Sequence, residues 1–265
     1  MGNLPADLDG ARAAGALVAT ASFAGIVDEA QNGPRIVRRL VRRRRATVNV
    51  VARVGKGSET LVVLAHHDAP QTGILFDQTL QRRLYELAPE LLERRKTSPP
   101  QWWVGLAGPL LTIASALRGR RAGARAGLLI GALGAALVAD VWRSQTVAGA
   151  NDNLSGVAAL VALAELLRAR PLANLRVLLV SCGAEETLQD GVRALLARHR
   201  PELAADATCF VNLDTVGSPH LVMLEAEGPV WMERYAGGWL RDLLAACAER
   251  LEIPLERGFR ARAST

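Results

Sequence analysis

Two continuous apolar runs of strand length constrain this chain most: TLVVLA (60–65) and the largely apolar LRVLLVS (175–181). A strand that is apolar on both faces has to be covered on both faces. Parallel sheets with crossover helices meet that demand, and an antiparallel hairpin with one wet face does not. Helical patterns alternate with these runs. Residues 78–96 read as a charged helix broken at Pro89, 156–170 as an apolar helix stopped by Pro171, 188–199 as a helix ended by Pro201, and 239–251 as a further helix. TVNVVARV (47–54), 208–213 and 221–225 read as additional strands. The expected fold is α/β, a three-layer α/β/α sandwich on a mixed, mostly parallel central sheet.

The 265 residues are 50% hydrophobic and 22% charged, which gives enough chain to bury a core without covalent staples. Cys182, Cys209 and Cys247 are odd in number and widely spaced, which argues against a disulfide framework and a cysteine zinc site. Aromatics amount to 4%, too few for a stacking platform for single-stranded nucleic acid, and no nucleic-acid partner is expected. The net charge of +6 is concentrated in RIVRRLVRRRR (35–45) and around the apolar stretch described next. Ala13–Val27 reads as a helix and not as a cleaved signal peptide, so the cytoplasmic face is the default location.

Residues 97–117 carry no charge. Arg118, Arg120, Arg121 and Arg125 follow, and residues 126–139 are uncharged again. This is expected to be an inserted apolar helical hairpin. The first arm is long enough to cross a bilayer and the second marginal. Trp102, Trp103 and Trp142 stand where interfacial anchors belong, and Gly127 and Gly131 have the spacing of closely packed helices. A buried helical pair or lid is the alternative. The expected divisions are 1–96, an N-terminal helix and the first part of the catalytic domain; 97–143, the hairpin; and 144–265, the second part, with its C-terminal end missing. Membrane association is expected through 102–142 and the Arg run 35–45, with the side unresolved.

Ligands bind such sheets at the carboxyl ends of the strands. The first run ends in His66-His67-Asp68, the second in CGAEE with Glu185 and Glu186, and 208–213 in Asp214; Asp152 precedes the 156–170 helix in GANDNLSG. Carboxylates crowded around one imidazole repel each other unless a cation neutralises them, and this donor set suits zinc or a similar divalent ion. Alternate residues of a strand end point the same way, so Asp68 is placed to hold the second nitrogen of His66. Of the adjacent pair Glu185-Glu186, one can bind metal while the other moves protons. His67 is expected at the rim, His199 in the core and His220 in a turn.

In this order, HHD, GANDN-x-SG, GAEE and NLD-x-VG resemble the co-catalytic zinc aminopeptidases of peptidase family M28, over roughly 45–75 and 145–217. The resemblance implies two zinc ions in the complete protein. His66 and Asp214 would bind one, Asp152 would bridge both, Glu186 would bind the second, Glu185 would be the general base, and Asp68 would orient His66. The family's fifth ligand, a later His, has no counterpart here, since His220 comes too early. The chain is therefore expected to be a fragment that binds one ion or binds incompletely and has little activity of its own. The functional expectation is a zinc-dependent exopeptidase acting on peptides, an aminopeptidase before a carboxypeptidase. The alternatives are a single-zinc glutaminyl-cyclase-like transferase and a non-catalytic peptidase-like membrane scaffold.

Overall fold

The computed structural model describes residues 4–41, 46–90, 96–100 and 102–263. Its centre is a four-stranded sheet of β1 (Val50–Val54), β2 (Glu59–His66), β3 (Leu175–Cys182) and β4 (Thr208–Asn212), in the order β1-β3-β2-β4. β2 runs parallel to both β3 and β4, and β1 is antiparallel to β3. The sheet is mixed and mostly parallel, as the two apolar runs demand.

Alternation along β2 and β3 sends side chains to two separate cores. On one face Val62, Leu64, Leu178, Val180 and Cys182 pack with Leu195 of helix α7 (Asp190–His199). On the other, Val63, Ala65, Val177 and Leu179 pack with Leu160 and Leu167 of helix α6 (Ser155–Ala169). Val62 and Val180 are 0% exposed. Burying such a side chain contributes about 1.5–3 kcal/mol, which anchors both helices to the sheet. The three layers are thus present.

A second sheet was not foreseen. β5 (Leu221–Glu227) pairs with β6 (Glu233–Arg234) and, in parallel, with β7 (Leu255–Ala261), which follows helix α8 (Gly238–Arg250). The expectation was one central sheet, but β5 takes its partners from later in the chain. β7 reads LERGFRA, too charged to stand out as a strand, and tertiary pairing supplies what its pattern does not.

Further helices of the described chain are α1 (Leu4–Ala30), α2 (Ile36–Val41), α3 (Thr79–Leu87), α4 (Trp103–Leu117) and α5 (Arg121–Arg143). The helix expected over 78–96 is broken next to Pro89, as expected: α3 ends at Leu87, Ala88 is non-helical, and Pro89 and Glu90 are helical again; residues 91–95 lie outside the described part. The hairpin is present, but its arms reverse in length. Pro99-Pro100 delays α4, which has 15 residues, whereas α5 extends through the arginines at both its ends to 23 residues, about 34 Å. Its seam is made of small residues. A Cβ on Gly108 would come within 2.7 Å of the Gly131 nitrogen, and one on Gly127 within 2.8 Å of both the Gly108 carbonyl and the Thr112 nitrogen. Helix α1 packs along α4, and Arg12 donates to the Gly119 carbonyl at the hairpin tip (3.3 Å). Among the described residues two helices are long and apolar enough to cross a membrane, Gly10–Ala30 and Arg121–Arg143.

Candidate metal centre

The parallel register sets His66 of β2 beside Cys182 of β3, so both strands end level. His66 is buried, and its Nδ1 faces the Asp68 backbone carbonyl at 3.0 Å. An Nδ1–H donated there leaves the Nε2 lone pair pointing the other way. Nε2 lies 3.1 Å from Asp152 Oδ1, 3.9 Å from Glu185 Oε2 and 4.0 Å from Asp214 Oδ2. Two overlapping donor groups result, His66–Asp152–Asp214 and His66–Glu185–Glu186, each with its ligand atoms within 4.8 Å of one another. All the carboxylates assigned from sequence to metal binding or proton transfer thus gather around His66.

Asp68 does something other than expected. Its carboxylate is 3.6 Å from His66 Nδ1, too far for a hydrogen bond. Instead Oδ1 accepts the Glu185 amide and Oδ2 the Glu186 amide, each at 3.0 Å. Asp68 therefore steadies His66 through its main chain and the Glu185-Glu186 corner through its side chain.

Three asparagines that sequence reasoning left without a role stitch the segments together. Asn153, fully buried, donates to the Leu213 carbonyl (2.8 Å) and accepts the amides of Gly156 and Thr215 (both 3.1 Å). Asn151 accepts the Gly217 amide at 3.0 Å. Asp152 and Asp214 are thereby held by neighbours on both sides. Asn49, just before β1, accepts the Gly183 amide and donates to the Gly191 carbonyl. The signal was present, since Asn in a loop or at a helix entry commonly bonds to backbone. Which backbone it bonds to is a tertiary matter. His67 is exposed and bonds to Ser181, and His199 is half-buried beside Glu202, not in the core.

The electrostatics follow from the crowding. Burial opposes charge on His66, but the hydrogen bond that a protonated Nε2 donates to Asp152 and the nearby Asp68, Glu185 and Asp214 outweigh it and lift the imidazole to about 11. Burial, with Glu186 and Asp214 close by, pushes Glu185 up to about 8. Burial and Asp152 push Glu186 up to about 7 and also raise Asp214. Asp68 goes the other way: burial would raise it, but His66 and the two amides it accepts hold it low. Crowding of this kind is what a bound cation would relieve.

Donor chemistry tests that fit. One imidazole nitrogen and carboxylates from separate segments are a zinc-type set, and Glu185 Oε1 is buried without a hydrogen-bond partner. His66 can ligate only once, so the described residues complete one three-ligand site, His66–Asp152–Asp214, and supply Asp152 and Glu186 towards a second.

The hairpin reaches this rim. Gln71 bridges to Thr146, Val147 donates to the Pro70 carbonyl (3.0 Å), and Asp140 at the end of α5 accepts the Ile74 amide (2.7 Å). The segments leaving Asp68 and entering Asp152 are joined where the apolar arm ends.

Comparison with known proteins agrees with the motifs. Peptidase family M28 matches residues 134–250. That stretch contains Asp152, Glu185, Glu186 and Asp214; His66 and Asp68 lie before it. No curated protein matches the chain. The crystal structure of a glutaminyl cyclase from an Acidobacteriales bacterium aligns over 94% of this chain and 72% of its own, at 14% identity and a TM-score of 0.43.

Proposed function

With a match to peptidase family M28 over the stretch that carries four of these six residues as its premise, we propose that the chain is a zinc-dependent exopeptidase, an aminopeptidase in the first instance. The observation that carries this reading is His66 Nε2 facing Asp152, Glu185 and Asp214 within 4.0 Å, from three different segments. His66, Asp152 and Asp214 would hold zinc, with Glu186 and Asp152 facing a second ion. Zinc supplies Lewis-acid polarisation of a carbonyl and acidifies water. Glu185 takes a proton from water and returns it to the leaving amine. Its burial suits that task, because a carboxyl near the working pH can both accept and give back a proton. Asp68 keeps the Glu185 and Glu186 main chain in place.

A single-zinc cyclising transferase is the second reading, favoured by the one complete three-ligand set. The two readings separate in one assay. Zinc-loaded protein is incubated with peptides bearing N-terminal Leu or N-terminal Gln. Release of free Leu supports the peptidase; cyclised Gln without release of amino acid supports the transferase. Glu185→Gln is expected to lower turnover about 10²–10⁴-fold with zinc retained. Unchanged turnover would remove Glu185 from the chemistry.

The reading includes attachment to a membrane. Its support is the exposed apolar surface of α1 and α5, with Leu17 and Leu129 both 72% exposed, and the exposed Trp142 at one end of α5. The Arg run contributes less than its composition suggested. Arg35 is buried and Arg38 pairs with Glu29 and Asp190; Arg39 is exposed, and 42–45 lie outside the described residues.

A further inference from the structure

The Glu185-Glu186 corner is held from two sides. One is the sheet side, through Asp68 and Asn49. The other is the α1–α2 connection, more than 150 residues away in sequence. Arg35 Nη1 pairs with Asp190 Oδ1 at 2.8 Å, and its Nη2 donates to the Leu188 carbonyl and to Asn32 Oδ1. Arg38 donates to the Thr187 carbonyl (2.6 Å) and to Asp190 Oδ2 (2.7 Å). Asn32 donates to the Gln189 side chain. Asp28 holds the connection itself, accepting the amides of Arg35 and Ile36.

Backbone strain collects at the same contact. Of the seven non-glycine residues with left-handed φ among the described residues, five are here: Asn32 and Arg35 on one side, Ala184, Leu188 and Gln189 on the other. Such conformations persist only where the surroundings over-determine them, and they cluster where a side chain has to be aimed. The 184–189 segment carries Glu185 and Glu186 between its strained residues, and the Gln189 amide donates to the Glu185 carbonyl (2.7 Å), which couples the corner directly to Glu185. From outside the segment the corner is held by Arg38 and by Arg35, a planar fork that reaches a carboxylate and a carbonyl at once.

We propose that Arg35 is a positioning residue for Glu185 and Glu186, fixing the left-handed 188–189 corner and with it the direction of both carboxylates. It touches no reacting atom and acts through the loop. The proposal rests on the zinc-hydrolase reading of that pair. Because α1 packs on α4, the site's geometry is thereby tied to the apolar helices.

The test uses full-length, zinc-loaded protein in detergent and compares wild type, Arg35→Ala, Arg35→Lys, Asp190→Asn and the Arg35→Ala/Asp190→Asn double variant, with Arg53→Ala, which breaks the exposed Arg53–Glu202 pair (3.3 Å), as a remote control expected to leave kcat unchanged. Arg35→Ala is expected to lower kcat about 10–100-fold with KM within about twofold, since the base is mis-aimed while the binding surface stays. Arg35→Lys recovers part of this loss, and the double variant loses clearly less than the two single losses combined, since the Arg35–Asp190 pair is broken in each. Wild-type kcat in Arg35→Ala, or additive losses in the double variant, would overturn the clamp. If Arg35→Ala does not fold, Asp190→Asn carries the same kcat-against-KM prediction. If the wild type releases no amino acid from any peptide, the peptidase reading fails, and the clamp is then read by zinc titration. In that case Arg35→Ala is expected to bind the second zinc, the one that Glu186 faces, about tenfold more weakly, and an unchanged affinity for that second ion overturns the clamp.

Discussion

The central sheet and the apolar helices solve burial in opposite ways. In the sheet the large side chains are inside: Val62 and Val180 are 0% exposed, and polar groups are pushed to the strand ends. In the α4–α5 hairpin Leu106 is fully buried, but the seam is otherwise small and polar, with Gly108, Thr112, Ser115, Gly123 and Gly127, while Leu128, Leu129, Leu133 and Val138 face out. The sheet is stable because water drives its apolar residues inward. The hairpin gains little from water. Close backbone approach and bonds such as Thr112 to the Gly108 carbonyl (3.0 Å) hold it, as in helix pairs surrounded by apolar material. One chain thus contains two regions that pack by different rules, and the candidate site lies where they meet.

Substitutions in each region can break this contrast. Leu179→Ala, in the sheet core, is expected to cost about 2–5 kcal/mol, read by chemical unfolding of the sheet. A loss below about 1 kcal/mol would mean the two layers are not packed as described. Gly127→Leu inserts bulk into the hairpin seam and is expected to cost about 1–3 kcal/mol in detergent, seen as early melting of the helical signal. Tolerance of Leu there would show that the arms do not touch.

The rim sharpens the comparison through pH. In the metal-free site His66 is held as imidazolium up to about pH 11, and Glu186 takes a proton below about 7. An incoming ion has to displace these protons, so raising the pH strengthens binding. One displaced proton makes affinity rise about tenfold per pH unit, more steeply below pH 7. Zinc titrations at pH 6, 7 and 8 check this, and a flat profile would contradict it. The smallest effect is expected for Leu129→Ala, on the outer face of α5: within about 0.5 kcal/mol in detergent. A larger loss would mean that this face packs against protein.

What could be read from the sequence follows the same divide. β2 and β3 were legible because continuous apolar runs are a local signature, and the residues at their ends were legible because parallel strands finish at one rim. β7 was not legible, since its charged sequence becomes a strand only by pairing with β5. The hairpin arms were misjudged because absence of charge was taken as helix length. Pro99-Pro100 shortened one arm, and the flanking arginines, which are good helix formers, lengthened the other. In the candidate site the ionisable groups were readable, but their support was not. Asn153, Asp68 and Arg35 act through backbone groups far away in sequence, and no spacing rule records such bonds. Arg35 was concealed further by its place in a run of seven arginines, most of which look alike on composition.

The measurement that tests the central claim most directly is the metal content of purified wild type and His66→Ala after equilibration with zinc and removal of excess. The account predicts about one tightly held ion per chain in the wild type and loss of it in His66→Ala, since every complete donor group includes that imidazole. A wild type without metal, or a His66→Ala variant that keeps its ion, would contradict it.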